Sequence, residues 1–551
     1  MSATPALLDD REAPATRSVR PAQLRVAGLA ADAALVVGCV LWATRLSAGM
    51  DVSWDLIAYH HYYSWLFSEG LMHLADPEPY VNRYQNPLAQ LPWYLLDRSL
   101  SPRVSSGAVA ALAAGNLLLV RRITAAVVPD RVAPTGRTIL GVTAAMVAAT
   151  GAVFSMELGM SAGDVVVSLP MLAAVLLLVR SSRSATATRQ LWLLAAAGAL
   201  GGASVGMKLT MAGYLVALGL AALVVSVGRR RVGPVLATAA GGVVGLAVSS
   251  GWWFVQMWRL TGSPVFPFYN TVFHSPWFGD FDVRDTRFGA HGVIDALTYP
   301  WLMAEGTTRV LDVPMRDPRW AVLTALLLLA GVVAGALFLR GGRRREDGGS
   351  AEARLSFWVF MLAGGLLWLF QFGIARYAVT NELLTGTAFV LALGAVLRRA
   401  VLTAGVALAL SLAMAPFNVG HFHHVPFKRD RFMVQAGPLD AVPSDSVVVA
   451  VNSSAPSGFL LEHLRPGTRR HVYQDWFAGS GLLRDLRSQQ LATAPHVYLV
   501  LGPSWPNQPA VRKRLQANLG LVVDDARCQP VHSTLPVRHL CPARYVGASG
   551  Q

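Results

Sequence analysis

The sequence predicts a mostly α-helical, polytopic membrane protein of about eleven transmembrane helices with a small α/β domain at its C-terminal end. Hydrophobic residues make up 53% of the 551 residues and charged residues only 14%, which is too apolar for an ordinary soluble protein. The apolar residues recur in runs of about 20, the length that crosses the hydrocarbon core. Arginines and lysines lie between these runs, as in cytoplasmic loops.

Eleven apolar runs follow one another along the chain. They cover residues 26–46, 104–120, 139–155, 165–179, 191–205, 211–227, 235–255, 320–339, 355–374, 378–397 and 401–415. Arg17, Arg20 and Arg25 flank the first run and predict a cytoplasmic N-terminus. No cleavable signal peptide is recognisable, so we expect the first run to stay as a signal anchor. Because the number of crossings is odd, the chain from Phe417 onward is predicted to lie outside.

These crossings divide the chain into three predicted parts. They are a cytoplasmic tail (residues 1–25), a transmembrane domain (26–416) and an extracytoplasmic α/β domain (417–551). A first outer loop (47–102) and a large outer loop (256–318) interrupt the transmembrane domain. The net charge of +15 does not indicate nucleic-acid binding, because the basic residues are spread between apolar runs rather than gathered on one soluble face. The expected partner of this surface is the lipid bilayer, in the plasma membrane.

The C-terminal domain is predicted to mix strands with helices. Residues 446–451 (SVVVAV) and 497–501 (VYLVL) have the length and composition of strands, and residues 458–464 and 481–490 have helical spacing. No Gly-rich phosphate loop follows either strand, so no nucleotide chemistry is expected. Cys528 and Cys541 lie in this domain, and the sequence leaves open whether they form a disulfide.

Polar residues are densest in the first outer loop. Asp51 and Asp55 follow the first helix directly, and Tyr59 and His60 follow Asp55 at helical spacing. This pattern predicts a carboxylate at the membrane surface on a short helix whose aromatic rings are suited to stacking on sugars. The alternative is an interfacial aromatic belt with solvated carboxylates, which the residue types alone leave open.

The order of several short motifs resembles the GT-C superfamily of integral membrane glycosyltransferases, whose donors are polyprenyl-phosphate sugars. WDLIAYHHY at residues 54–62 looks like the superfamily's Asp-x-x-x-Tyr version of a catalytic carboxylate after the first helix. Asp164, which opens GDVVVSLPMLAAVLLL, is similar to a recurrent acidic position of the second outer loop. GMKLT at residues 206–210 and TGSPVFPFYNTVF at residues 261–273 resemble two further motifs, although Ser263 stands where Asn is common.

Sugar transfer from a polyprenyl phosphate needs a base for the acceptor hydroxyl and cations for the departing phosphate. Asp55 is the predicted base, with Asp51 as the second candidate. Lys208 and Arg376, at the outer ends of helices, are the predicted phosphate ligands; snorkelling to lipid head groups is their alternative role. The residues predicted to position donor or acceptor are Tyr59, His60, Glu157, Asp164 and Glu382. Among them, Glu157 and Asp164 are also candidates for holding a divalent cation, and Glu382 for orienting Arg376.

The metal requirement stays unknown at this level. Histidines cluster at His60, His61 and His73 and again at His421, His423 and His424, and such spacing can bind zinc. No HExxH or paired CxxC accompanies them. The resemblance does not decide, because the superfamily contains both metal-dependent and metal-independent members.

The expected function is therefore inverting transfer of a sugar to a cell-envelope glycan, lipid or protein at the outer membrane face. Two alternatives stay open: a transporter or flippase of lipid-linked saccharides, and a non-catalytic envelope assembly protein. Transporters usually show internal repeats and polar residues near the bilayer midplane. The sequence shows no convincing repeat, and its polar residues gather at one face. The donor sugar, the acceptor and the oligomeric state cannot be read from these motifs.

Overall fold

The computed structural model describes residues 21–46, 49–73, 76–339, 348–417, 422–453, 455–505 and 508–547. Arg17 and Arg20, which predicted the cytoplasmic side of the N-terminus, lie outside the described residues, and so does His421.

Helices make up most of the chain up to residue 417. In chain order they are α1 (Pro21–Leu41), α2 (His61–Ser68), α3 (Leu91–Ser99), α4 (Pro102–Val127), α5 (Pro134–Ala149), α6 (Ala152–Glu157), α7 (Asp164–Ser181), α8 (Ala187–Met207), α9 (Ala212–Arg229), α10 (Gly233–Thr261), α11 (Asn270–Phe273), α12 (Val293–Glu305), α13 (Arg319–Leu339), α14 (Gly348–Gln371), α15 (Val379–Leu397) and α16 (Ala400–Met414). Within the described residues, ten helical segments are long and apolar enough to cross a membrane, at α1, α4, α7 to α10 and α13 to α16. The predicted polytopic membrane fold is confirmed.

The remaining predicted crossing, residues 139–155, corresponds to α5 and the break that follows it. With 16 residues, α5 is about 24 Å long. The chain enters α4 from the first outer loop, and beyond α6 the Ser161 hydroxyl donates to Asp51 of that same loop. Helix α4 therefore carries the chain away from the first outer loop, and helix α5 must bring it back to the same side. This return is the eleventh predicted crossing.

Helices α8 and α10 touch backbone to backbone through glycines four residues apart. A Cβ added at Gly198 or Gly202 would strike carbonyl oxygens of α10, and one at Gly241 or Gly245 would strike carbonyl oxygens of α8. Small residues at this spacing let helices approach closely in lipid, where the hydrophobic effect does not drive association. The contact fixes the end of α8, which is followed directly by Lys208.

The C-terminal domain is a mixed sheet with short helices. The remaining elements are β1 (Met50–Asp51), β2 (His424–Val425), α17 (Gly437–Asp440), β3 (Val447–Val451), β4 (Arg469–Tyr473), α18 (Gly481–Asp485), β5 (Val497–Leu501), α19 (Pro509–Leu519), β6 (Leu521–Val523), β7 (Gln529–Val531) and β8 (Arg538–Tyr545). The strand order is β4-β3-β5-β8-β6, with β7 also paired to β8. Strand β3 is parallel to β4 and β5, and β8 is antiparallel to its neighbours. The two predicted strands are β3 and β5, and Cys528 and Cys541 form a disulfide.

One face of this sheet packs on the first outer loop. Side chains alternate between the two faces of a strand, and Val448 and Ala450 of β3 lie in one buried cluster with Leu56 and Tyr62. Val449 points the other way, into a cluster formed with α18 and α19. Strand β1 of the loop also pairs with β2 in antiparallel fashion. The segment that carries Asp55 is thus enclosed between the helix bundle and the α/β domain.

Candidate functional site

The helix bundle brings five predicted site residues to one end of the molecule from separate chain segments. Asp55 lies just before α2, Glu157 ends α6, Asp164 begins α7, Lys208 follows α8 and Arg376 precedes α15. The link that joins the most distant segments is a hydrogen-bonded ion pair, in which the Arg376 guanidinium donates to the Asp55 carboxylate across 321 residues of sequence.

The Asp55–Arg376 pair is partly open to solvent. The Asp55 side chain is 17% exposed and that of Arg376 13%. Burial acts to raise the pKa of Asp55, but the positive charge of Arg376, helped by that of Lys208, outweighs it and lowers the pKa below its ordinary value. Asp55 is therefore a carboxylate at neutral pH, as a general base must be.

Two cations lie side by side at this end of the bundle. The Lys208 ammonium is 2.7 Å from Asp164 Oδ1 and donates to the Ala162 carbonyl oxygen at 3.1 Å. The ring of Tyr377 receives both cations, with its centroid 5.3 Å from Lys208 Nζ and 5.2 Å from Arg376 Cζ. Cation–π attraction to one ring favours this arrangement, and each cation is also paired with a carboxylate, Lys208 with Asp164 and Arg376 with Asp55. Tyr377 was not predicted from the sequence, where its only signal is an aromatic residue beside Arg376.

Glu157 is a buried carboxyl group that the fold leaves unbonded. Its side chain is 3% exposed, and within the described part of the chain neither of its oxygens has a hydrogen-bond partner, nor does Oδ2 of Asp164. Burial, followed by the negative charge of Asp164, raises the pKa of Glu157 well above its usual range. An unsatisfied buried polar group is costly, so this pair is a candidate contact for a bound substrate.

Asp51, in contrast, is fully engaged by the protein. Its Oδ1 accepts from the Ser53 backbone N–H at 2.7 Å, and its Oδ2 accepts from the N–H and the hydroxyl of Ser161 at 3.0 and 2.9 Å. His60 lies 3.1 Å from the same Ser161 hydroxyl through its Nδ1, and burial lowers the pKa of this imidazole to about 4. Asp51 and the neutral His60 thus fix the turn before α7. This geometry favours Asp55 over Asp51 as the predicted base.

Glu382 does not bond the residue that it was expected to orient. Its carboxylate accepts from the backbone N–H groups of Val153 and Phe154, both at 3.2 Å, and from Arg319 Nη2 at 3.1 Å. Arg319 also pairs with Asp317 at 2.5 Å, and both of those side chains are fully buried. The expected contact with Arg376 is therefore corrected: Glu382 holds the first turn of α6 in a buried ionic cluster. The reason is that positions six residues apart do not share a helix face.

A second buried ion pair, also not predicted from the sequence, ties the first outer loop to the sheet. Glu78 pairs with Arg83, and both side chains are almost fully buried. Glu78 Oε1 also accepts from the Tyr63 hydroxyl at 2.6 Å and from the Val472 backbone N–H at 3.1 Å. Because Val472 lies on the edge strand β4, the loop covers an edge that would otherwise present unpaired backbone groups.

No cluster of three or more histidine, cysteine, aspartate or glutamate side chains suited to a metal ion occurs in the described parts of the chain. His61, one of the histidines noted in the sequence, lies with Nε2 3.0 Å from Glu462 Oε1, and His60 contacts Ser161.

Among known proteins, the chain resembles solved structures but matches no family model and no curated sequence. The solved structures that it resembles include two crystal structures of ArnT from Cupriavidus metallidurans, one bound to undecaprenyl phosphate and one in the apo state. Each match covers 96% of this chain and 100% of the ArnT chain, with 13% and 14% sequence identity and a TM-score of 0.44. This likeness concerns the fold alone.

Proposed function

We propose that the protein is a GT-C-type membrane glycosyltransferase that moves a hexosyl or pentosyl group from a polyprenyl-phosphate donor to a cell-envelope acceptor. The observation that carries the proposal is the Asp55–Arg376 pair, an ionised and partly exposed carboxylate beside a cation at the mouth of an apolar helix bundle. Charged groups at such a position in a membrane protein are usually functional. A donor with a hydrocarbon tail and a phosphate head fits this combination of surfaces.

Arg376 and Lys208 are the proposed ligands of the donor phosphate. Both cations contact the Tyr377 ring, at 5.3 and 5.2 Å from its centroid, and we propose that one phosphate group binds both. Charge-assisted hydrogen bonds from guanidinium and ammonium groups to phosphate are strong. Since Arg376 also bonds Asp55, the bound phosphate would compete for the guanidinium and release the carboxylate for catalysis.

Asp55 is the proposed general base. It accepts the proton of the acceptor hydroxyl as that oxygen attacks the anomeric carbon of the donor sugar. The bond from the anomeric carbon to the phosphate oxygen breaks, and its electron pair leaves with the phosphate, whose charge Arg376 and Lys208 stabilise. A single displacement of this kind inverts the anomeric configuration.

The remaining predicted residues keep supporting roles in this proposal. Glu157 and Asp164, with their unbonded oxygens, contact hydroxyl groups of a substrate or a divalent cation. Tyr59 lies in ring contact with His60, at 4.4 Å between centroids, and is proposed to help position the substrate beside Asp55.

The proposed orientation places this end of the bundle outside the cell. At the opposite end Asp130 pairs with Arg137 and Arg183, in loops whose basic residues favour the cytoplasm. The disulfide between Cys528 and Cys541 also supports an oxidising compartment for the α/β domain. The proposed acceptor is a glycan, a lipid or a protein at that surface.

The test is transfer of radiolabelled sugar from a panel of polyprenyl-phosphate sugars to membrane extract by the purified protein. We expect Asp55→Asn to lower the rate by a factor of about 10² to 10⁴, the usual contribution of a general base. The matched control is Asp295→Asn, because Asp295 is likewise paired with an arginine, Arg309, on the same side of the bundle. Its rate should stay close to that of the wild type.

Undiminished transfer by Asp55→Asn would remove Asp55 from the mechanism. A wild-type protein that transfers no sugar from any donor would instead favour the transporter or the assembly protein. Retention of the donor's anomeric configuration in the product would contradict the single displacement.

A further inference from the structure

The parallel strands of the α/β domain end together at one edge of the sheet. Strands β3, β4 and β5 run in the same direction, and open α/β sheets bind ligands outside the carboxyl ends of such strands. Asn452 and Gln474 are the first residues beyond β3 and β4. They are neighbours, because the register pairs Val451 with Tyr473.

Both side chains point toward the first outer loop. Two residues earlier in the same strands, Ala450 and Val472 lie in the buried cluster that the sheet shares with this loop, and side chains two positions apart lie on one face. The Gln474 backbone N–H donates to the Pro79 carbonyl oxygen at 2.9 Å, so the end of β4 lies against the first outer loop.

Unsatisfied polar atoms gather at this edge. Asn452 Oδ1 accepts from the Ser457 backbone N–H at 3.3 Å, so the Nδ2 group of this amide is the donor that faces the Tyr80 hydroxyl. Within the described ranges Gln474 Oε1 and Asp475 Oδ1 have no hydrogen-bond partner. Asn452 is 6% exposed and Tyr80 fully buried. A buried polar atom without a hydrogen bond is costly, so packing alone does not account for the unbonded oxygens of Gln474 and Asp475.

An exposed indole completes the edge. Trp476 is 41% exposed, whereas Phe477 beside it is fully buried and anchors the turn. An indole can stack on a sugar ring while amide and carboxylate groups bond its hydroxyls. The nearest ion-pair partner of Asp475 is Arg514, at 3.5 Å, which balances the carboxylate. This set of groups suits a neutral, hydroxyl-rich ligand better than an anion.

The edge lies beside the residues that surround Asp55. The rings of Tyr80 and Tyr59 are 6.3 Å apart between centroids. Burial and then the negative charge of Asp55 raise the pKa of the Tyr80 hydroxyl well above its ordinary value, while the facing amide of Asn452 acts to lower it. Arg376 and Lys208, the proposed phosphate ligands, belong to the helix bundle. Tyr59 and Tyr80 belong to the first outer loop, which packs on the sheet of the α/β domain.

We propose that Asn452, Gln474, Asp475 and Trp476, with Tyr80, form a binding site for a neutral saccharide chain, which enters from water and presents a hydroxyl toward Asp55. In a displacement the acceptor must approach from the side opposite the departing phosphate, and the proposal places the acceptor on the side of the α/β domain. The assignment as an acceptor rests on the proposed function. Binding of the saccharide itself does not.

Binding is tested with the full chain in lipid nanodiscs and a panel of short neutral hexose and pentose oligosaccharides, by saturation-transfer NMR. We expect Trp476→Ala, which alters an exposed residue and leaves the core intact, to weaken binding about tenfold or more. The matched control is Trp301→Ala, since Trp301 of α12 is 46% exposed and lies away from this edge. It should bind as the wild type does.

Failure to bind any member of the panel, or equal binding by Trp476→Ala, would overturn the proposal. Tighter binding of acidic than of neutral oligosaccharides would overturn the assigned ligand class. Saccharide binding without sugar transfer from any donor would contradict the proposed function and leave this site standing. If Trp476→Ala transfers sugar as fast as the wild type, and the acceptor contains no saccharide, the result would support the proposed function and refute the acceptor site.

Discussion

At the scale of single residues, the environment of Asp55 sets the proposed chemistry. Burial penalises its charge, and Arg376 more than compensates. The same arginine is the proposed phosphate ligand, so one cation both keeps the base ionised before the donor binds and stabilises the leaving group afterwards. Asp51, four residues earlier, accepts hydrogen bonds from backbone and hydroxyl groups of the protein. These bonds suit a structural role rather than that of a base.

The pH dependence of kcat/KM should reveal this coupling. A carboxylate base is active above its pKa, and the pKa of Asp55 is lowered, so wild-type activity should persist to a pH below the ordinary aspartate value. In Arg376→Gln the burial remains but the largest compensating charge is gone. We therefore expect its acid limb to shift to higher pH, in addition to a lower kcat/KM at every pH.

The matched control for this profile is Lys208→Gln. Lys208 also lowers the pKa of Asp55, but by less than Arg376, so its removal should shift the acid limb less. An acid limb at the same pH in Arg376→Gln and the wild type would show that the pair does not control the base.

At the scale of elements, close helix packing places the charged groups. Glycines at spacing four bring the backbones of α8 and α10 together. Asn86 of the first outer loop reinforces this contact by donating to the carbonyl oxygens of Gly206 and Ser249, at 2.8 and 3.2 Å. The helix contact and the Asn86 hydrogen bonds both lie next to Lys208 in the chain. They fix the backbone at Lys208 and so decide where its side chain starts.

Gly202→Leu should separate these helices. An added Cβ would strike the Gly242 carbonyl of α10, and overpacking of this kind costs about 1–3 kcal/mol. We expect a lower midpoint of thermal unfolding in detergent and a higher KM for the donor, since Lys208 moves with α8. Gly219→Leu is the control, because an added Cβ there meets no atom within 4 Å. Equal unfolding midpoints in the two variants would contradict the packing argument.

At the scale of the whole molecule, the α/β domain and the first outer loop share one core. Phe459 and Tyr62 belong to the same buried cluster, Arg431 pairs with Asp97 at 2.6 Å, and Arg431 also donates to the Asp51 carbonyl oxygen at 2.8 Å. The domain therefore forms part of the wall of the candidate site, and its removal would uncover the apolar side of α2.

Gly458→Leu should test this dependence. Its added Cβ would lie 2.5 Å from the Ala58 carbonyl oxygen, in the segment between Asp55 and α2. We expect the variant to lose most of its sugar transfer while the helix bundle stays folded, as judged by monodisperse gel filtration in detergent. Gly437→Leu, in the same domain with no atom within 4 Å of the added Cβ, should retain activity. Full activity of Gly458→Leu would show that the domain does not shape the site.

The sequence by itself determined the membrane fold, the two strands β3 and β5, and the chain segments that supply the charged end of the bundle. These features are local, because hydrophobic length, strand composition and basic flanks are readable within a few tens of residues. It also singled out Asp55, Lys208 and Arg376, since charged residues at the ends of apolar runs stand out by position alone.

Only the tertiary structure decided which of these groups meet. The contact of Asp55 with Arg376 spans 321 residues of sequence, Glu382 bonds Arg319 rather than Arg376, and Tyr377 contacts two cations. The sequence did not decide whether Cys528 and Cys541 form a disulfide. The structure shows that they do, with Cys541 held in strand β8 beside β5. Partners and burial depend on how distant helices and strands pack, and a local pattern of residue types does not contain that information.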